Sequence, residues 1–198
     1  MQGSHFLGIL LNIRGESMQI QTSRFGSVEL GLEDVIHFNE GLLGFGDLRQ
    51  FVLLDDPNDE IFAWLQSCEN PGIAFPILEP ELFTENYSIE LTRTDLSSLQ
   101  LESLVGTRVF TIVTIPEDPT KMTANLKAPI VINVQKKWAR QCVLQNNKLS
   151  ITEPIFSKLQ QRVVQNPQAP IKSAHNDLGV VIQLPVDKTA IKGNLENS

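Results

Sequence analysis

The sequence predicts a mainly β, compact domain with one or two short helices, and three observations carry that expectation. Short runs rich in β-branched and aromatic residues recur along the chain, divided by turns of Gly, Pro, Asn and Asp, a spacing typical of compact all-β domains. Thr107 to Ile115 is the most β-prone of these runs, and apolar groups on both of its faces fit a central strand. With 198 residues, 41% apolar and 20% charged, the chain can bury a continuous core without metal or disulfide staples.

The elements follow in order. Phe6 to Leu11 is an apolar patch far short of the ~20 residues that span a bilayer, and Met1 to His5 lacks the Lys or Arg of a signal peptide. Residues 1–17 are therefore expected to form an extension outside the fold. Gln19 to Leu30 reads as a hairpin turned at Gly26, with Ile20 and Thr22 on one face and Val28 and Leu30 after the turn. Val35 to Phe38 is a short strand leading into Asn39 to Asp47, a glycine loop packed by Leu42, Leu43 and Phe45. No Gly-Lys-Ser/Thr follows, so the glycines supply positive backbone angles and no phosphate cradle. Phe51 to Leu54 is a strand ended by the acidic turn Asp55 to Asp59, and Ile61 to Ser67 is a central strand with large residues on both faces. Glu69-Asn70-Pro71-Gly72 is a strong turn into a further strand, Ile73 to Leu78. Tyr87 to Leu91 alternates as a half-solvated strand does, and Thr94 to Leu101 has helical spacing with Asp or Thr as cap.

Thr123 to Asn133 organises the rest. Turn formers and Pro129 exclude helix, so a loop feeds a buried strand in which Ile130, Ile132 and Val134 face one side and Val131 and Asn133 the other. Asn125 and Asn133 read as side chains that hydrogen-bond nearby backbone and fix a loop. Ala139 to Leu144 is a further core strand and Phe156 to Val164 a helix. Asn166 to Pro170 then resembles a linker, and Leu178 to Leu184 is a last apolar burst that adds an edge strand or docks with a partner.

The net charge of -7, from 23 acidic and 16 basic residues without a basic cluster, argues against direct nucleic acid binding and for a basic protein partner. Cys68 and Cys142 sit in apolar runs, as reduced core thiols of a cytoplasmic protein do. His5, His37 and His175 lack metal-ligand spacing, no Gly-x-Ser-x-Gly elbow is present, and Asp55, Asp56, Asp59 and Glu60 lack the spacing of a calcium loop and read as a solvated charged turn. No catalytic residue, metal or cofactor is expected, and no membrane segment.

One set of motifs resembles a known family. Thr123-x-Asn125-Leu126-x-Ala128-Pro129-Ile130-Val131-Ile132-Asn133 is similar to the signature of the FliW family of bacterial flagellar assembly factors. Met18 to Gly26, Glu40-Gly41-Leu42-x-Gly44-Phe45, and Leu65-Gln66-Ser67 followed by Ala74-Phe75 resemble other blocks of that family in the same order. The resemblance implies a compact, mostly antiparallel β-barrel-like domain over residues 18–153; the leader 1–17 and the tail beyond Val164 depart from the family, and residues 154–198 are expected to form a helix and a tail. It also implies two protein partners taken by turns, flagellin in the cytoplasm and the translational repressor CsrA, which the protein antagonises. On resemblance and exposure, the partner-binding residues are expected first at Glu69, Asn70, Pro71 and Gly72, then at Asn125, Leu126 and Lys127. Gly41, Gly44, Phe45, Gln66, Ser67, Ala128, Pro129 and Asn133 are the motif's structural positions. A small ligand-binding barrel or enzyme with the Gly41 to Asp47 loop at its mouth, and a purely structural flagellar component, are the alternatives.

Overall fold

The run Phe51-Val52-Leu53-Leu54 sets the problem the fold solves: successive side chains of a strand point to opposite faces, and all four of these are buried. Both faces of the sheet therefore need a cover. The structure, a computed structural model, describes residues 16–56, 58–59, 61–165 and 181–184. Its strands are β1 (Ser17–Thr22), β2 (Gly26–Gly31), β3 (Ile36–Phe38), β4 (Gln50–Asp55), β5 (Ala63–Ser67), β6 (Ala74–Leu78), β7 (Thr107–Thr114), β8 (Thr123–Ala124), β9 (Ile130–Asn133), β10 (Trp138–Gln141), β11 (Glu153–Pro154) and β12 (Val181–Gln183). Two α-helices, α1 (Arg93–Ser98) and α2 (Phe156–Gln165), are present among the described residues, and none of the helices there is long and apolar enough to cross a membrane.

The sheet covers one of its faces by closing. Its order runs β7-β6-β5-β4-β3-β10-β9, and β9 pairs again with β7, giving a seven-stranded barrel. Every pairing around the ring is antiparallel except β10 on β3, where Trp138 lies opposite His37 and Ala139 opposite Phe38. All seven strands contribute to one buried cluster that fills the barrel, including Phe38, Phe51, Leu65, Ile77, Phe110 and Ile132. Phe38 and Phe51 meet edge to face at 5.1 Å, the arrangement favoured by the ring quadrupoles.

The residues of opposite parity form a second core outside the wall. Val52, Leu54, Trp64, Leu78 and Val113 are covered there by the β1–β2 hairpin through Ile20, Val28 and Leu30, by Leu82 and Phe83, and by Leu159 of α2. A third cluster of Leu99, Val131 and Cys142 seats α1 against β9. The hairpin turned at Gly26, the alternation of Ile130 and Ile132 against Val131 and Asn133, and the helix at Phe156 all match the expectations from the sequence.

Several expectations need correction. Tyr87 to Leu91 forms no ladder: Ile89 and Leu91 pack on the third cluster, so the period of two belongs to an extended segment lying on the barrel wall. Leu43 is 60% exposed and Phe45 borders on exposed, so only Leu42 of that loop enters the core. Asp59 is more than a solvated charge, since its carboxylate accepts from the backbone N–H of Ile61 and Phe62 and from the Trp64 indole, and β5 accordingly begins only at Ala63. The hairpin takes in Ser17, opposite Gly31, and the carbonyl of Glu16, which accepts from Leu32. Residues 1–15, the linker-like Asn166 to Pro170 and the tail beyond Leu184 lie outside the described residues.

Candidate functional site

The turn between β5 and β6 is exposed from Glu69 to Gly72, and its own side chains hold it. Ser67 Oγ accepts from the N–H of Glu69 at 3.1 Å and of Asn70 at 3.0 Å, and Asn70 Oδ1 accepts from Gly72 at 3.0 Å. Such side-chain caps replace backbone pairing in tight turns. Gln66 lies wholly buried beneath and donates to the carbonyls of Ser67 (2.9 Å) and Ile73 (3.1 Å). Pro71 ties the turn to the hairpin tip by accepting from Ser23 at 2.9 Å. The Glu69 carboxylate folds back and accepts from the N–H of Arg49 (2.5 Å) and Gln50 (3.0 Å), which anchors the turn to the strand beside it.

The second expected stretch is half-buried. Asn125 Oδ1 accepts from Lys127 (3.1 Å) and Ala128 (3.0 Å), and so closes an Asx turn just before Pro129. Leu126 is buried in the outer core, Lys127 accepts through its carbonyl from Leu144, and the Tyr87 hydroxyl donates to the Leu126 carbonyl at 2.7 Å. Of the three residues expected here, Leu126 thus serves packing, while Asn125 and Lys127 remain partly exposed.

These two stretches are joined through the glycine loop. Arg49 donates to the Asn39 carbonyl, and the loop that starts there presents the Leu43 N–H to Gln141 Oε1 at 2.9 Å. Gln141 Nε2 in turn donates to the Ala128 carbonyl at 3.2 Å. Hydrogen bonds, together with the loop backbone from Asn39 to Leu43, therefore link Glu69 to Asn125 around one end of the barrel. Gly41 makes the loop possible: its φ is +68°, and a Cβ there would stand 2.5 Å from the Phe45 carbonyl and 2.8 Å from Gly46 Cα. Gly44 has φ +83° but faces open space, and Phe45 leans edge to face on Phe75 at 5.2 Å.

Charge at this end is organised by Arg140, which donates to Asp95 at 2.9 Å and to Glu40 at 2.7 Å. Partial burial opposes ionisation of Asp95, but hydrogen bonds from Thr92 and the Arg140 charge outweigh it and hold the carboxyl below its ordinary range. Burial pushes the nearby Cys142 thiol up to about 12. Asn133, by contrast, lies toward the opposite end, where its amide donates to the Leu99 carbonyl at 2.9 Å and its Oδ1 accepts from Lys136 at 3.2 Å. Sequence reasoning missed Arg49, Gln141, Arg140 and Tyr87. Their partners stand up to 100 positions away, so no local pattern marks them.

Comparison with known proteins agrees with the family likeness and with the fold. The pattern of the FliW protein family matches residues 19–155. The chain is 63% identical over 173 residues to the flagellar assembly factor FliW of Bdellovibrio bacteriovorus, covering 87% of this chain and 99% of that protein. It is 41% identical over 143 residues to that of Thermoanaerobacter pseudethanolicus, covering 72% and 95%. A crystal structure of the flagellar assembly factor FliW superposes with a TM-score of 0.66 at 33% identity, covering 70% of this chain and 97% of that one.

Proposed function

The chain belongs to the FliW family of flagellar assembly factors, and from that premise we propose that it binds flagellin in the cytoplasm and antagonises the translational repressor CsrA by exchanging one partner for the other. Flagellin synthesis is then released from repression when export has emptied the protein of flagellin. The observation that carries this reading is the barrel end just described: an exposed turn, 69–72, and a partly exposed loop, 125–127, held in fixed relation by hydrogen bonds that need no ligand. A preorganised surface of that kind lowers the ordering cost of protein binding.

The reading as a small ligand-binding barrel or enzyme is less well supported. Side chains from all seven strands fill the barrel, and Leu42, 2% exposed, is packed with them beneath the glycine loop that this reading would place at a mouth. The test of partner exchange is to form the complex with purified CsrA, titrate flagellin monomer, and follow the species by size-exclusion chromatography with light scattering. Loss of CsrA from the complex as flagellin rises is the expected outcome. A stable ternary complex at saturating flagellin, or no complex with either protein, overturns it.

A further inference from the structure

Strand β4 is longer than the neighbour that covers one of its edges. β5 runs along the other edge from Phe51 to Leu54, whereas β3 pairs only at Gln50 and Phe51. Backbone N–H and C=O groups beyond that point are a template for another strand. In this structure β12 takes the place, parallel to β4, with Val181 opposite Leu53, Ile182 opposite Leu54 and Gln183 opposite Asp55, and Leu184 donates to the Asp55 carbonyl at 3.0 Å.

The hold is small. β12 has three residues and a single strand neighbour among those described, and parallel pairing is slightly weaker per residue than antiparallel. Among its described side chains, Ile182 and Leu184 are half-buried as they pack on the outer core beside Leu54. β4 lies within the span that the family pattern matches, residues 19–155, and β12 lies beyond it. The edge thus lies within the span that the family pattern matches, and its occupant lies outside that span.

We propose that the Leu53 to Asp55 edge of β4 is a strand-accepting site for an extended segment of a partner protein, and that residues 181–184 occupy it as an intramolecular competitor. The segment it fits runs parallel to β4 and carries apolar residues two positions apart, as Ile182 and Leu184 do. Backbone hydrogen bonds supply affinity in this mode of recognition and alternate side chains supply selectivity. A tethered competitor lowers the apparent affinity for any such segment by the fraction of time it holds the edge, so release of the tail acts as a switch. The proposal is independent of flagellin and CsrA binding, and its test needs neither protein.

The probe is a fluorescent peptide of residues 178–187, titrated by anisotropy against the full chain, its Ile182→Asp variant and an Ile182→Val control. Ile182→Asp is expected to bind the peptide about tenfold or more tightly than the wild type and the control, and a peptide carrying the same Ile182→Asp change is expected to bind none of them. Equal binding to wild type and variant, or no binding to a variant whose melting curve shows it folded, overturns the proposal. Leu184→Asp serves as the second variant. If both variants unfold, the tail is part of the barrel's own stability and the proposal falls. A dimer by light scattering, with tails exchanged between copies, overturns it as well.

Discussion

Asn125 and Asn133 do the same chemical work at different depths, and depth decides what each is worth. Asn133 is 4% exposed, and truncating it leaves the Leu99 carbonyl and the Lys136 N–H short of partners in a place water reaches poorly. Asn133→Ala is expected to destabilise by about 1–3 kcal/mol, lowering the melting temperature by several degrees. Asn125→Ala frees the N–H of Lys127, which is half-exposed and open to water, and that of Ala128, which is buried, and is expected to cost about 1 kcal/mol. Thermal melts of the two variants side by side check the ranking. Both asparagines were legible in the sequence because a polar amide beside an apolar run must find backbone. Glu69 was not, since nothing local says that an exposed turn carboxylate reaches back twenty positions to Arg49. Probing the turn for binding therefore calls for Glu69→Gln, which removes the charge and keeps an acceptor. The cysteines add a pH dependence. Burial pushes Cys68 from about 9 up to about 11 and Cys142 up to about 12, so the fold favours the neutral thiols. Their contribution is complete below about pH 9 and is lost as pH rises through 11 and 12. Denaturant melts are expected to show stability falling over that window, more steeply in the wild type than in a Cys68→Ala, Cys142→Ala double variant.

Elements were legible where local chemistry alone fixes them. Helix α1 begins at a capping box in which Thr92 Oγ1 accepts from the Asp95 N–H at 3.1 Å and Asp95 Oδ2 accepts from the Thr92 N–H at 2.9 Å. The short apolar period announced the helix, although the capping residue lies two positions before the stretch that the period marks. Thr92→Ala is expected to cost about 1 kcal/mol, and more of that loss should appear at neutral pH than in acid. The sign follows from Asp95, whose carboxyl is held below its ordinary range: its stabilising charge is present above the unfolded value and disappears as pH falls through the folded one. Urea midpoints of wild type and variant that stay equally far apart from pH 7 down to pH 3 would contradict this coupling. Tyr87 to Leu91 shows the opposite case. Its alternation is real, but a period of two reports only that an extended segment has one wet and one dry face, and cannot say whether the dry face lies against a wall or inside a ladder.

At the scale of the molecule, closure was the least legible feature. The ring depends on β10 lying parallel to β3 across 101 positions of sequence and on β9 returning to β7, and neither pairing leaves a local trace; barrel character came from family likeness instead. The charge balance, in contrast, needs no structure to be used. A chain of net charge -7 attracts a basic partner at long range, while the contacts formed after encounter are short and mostly shielded from solvent ions. The proposed partner CsrA binds RNA and so must present basic surface. Association is therefore expected to slow as salt rises from about 20 to 150 mM, over which the screening length contracts from roughly 20 Å to about 8 Å, with dissociation changing far less. Stopped-flow mixing at several salt concentrations separates the two rates. If association is flat and dissociation alone accelerates, the attraction lies within the docked interface, and the acidic surface of this barrel plays no part in finding its partner.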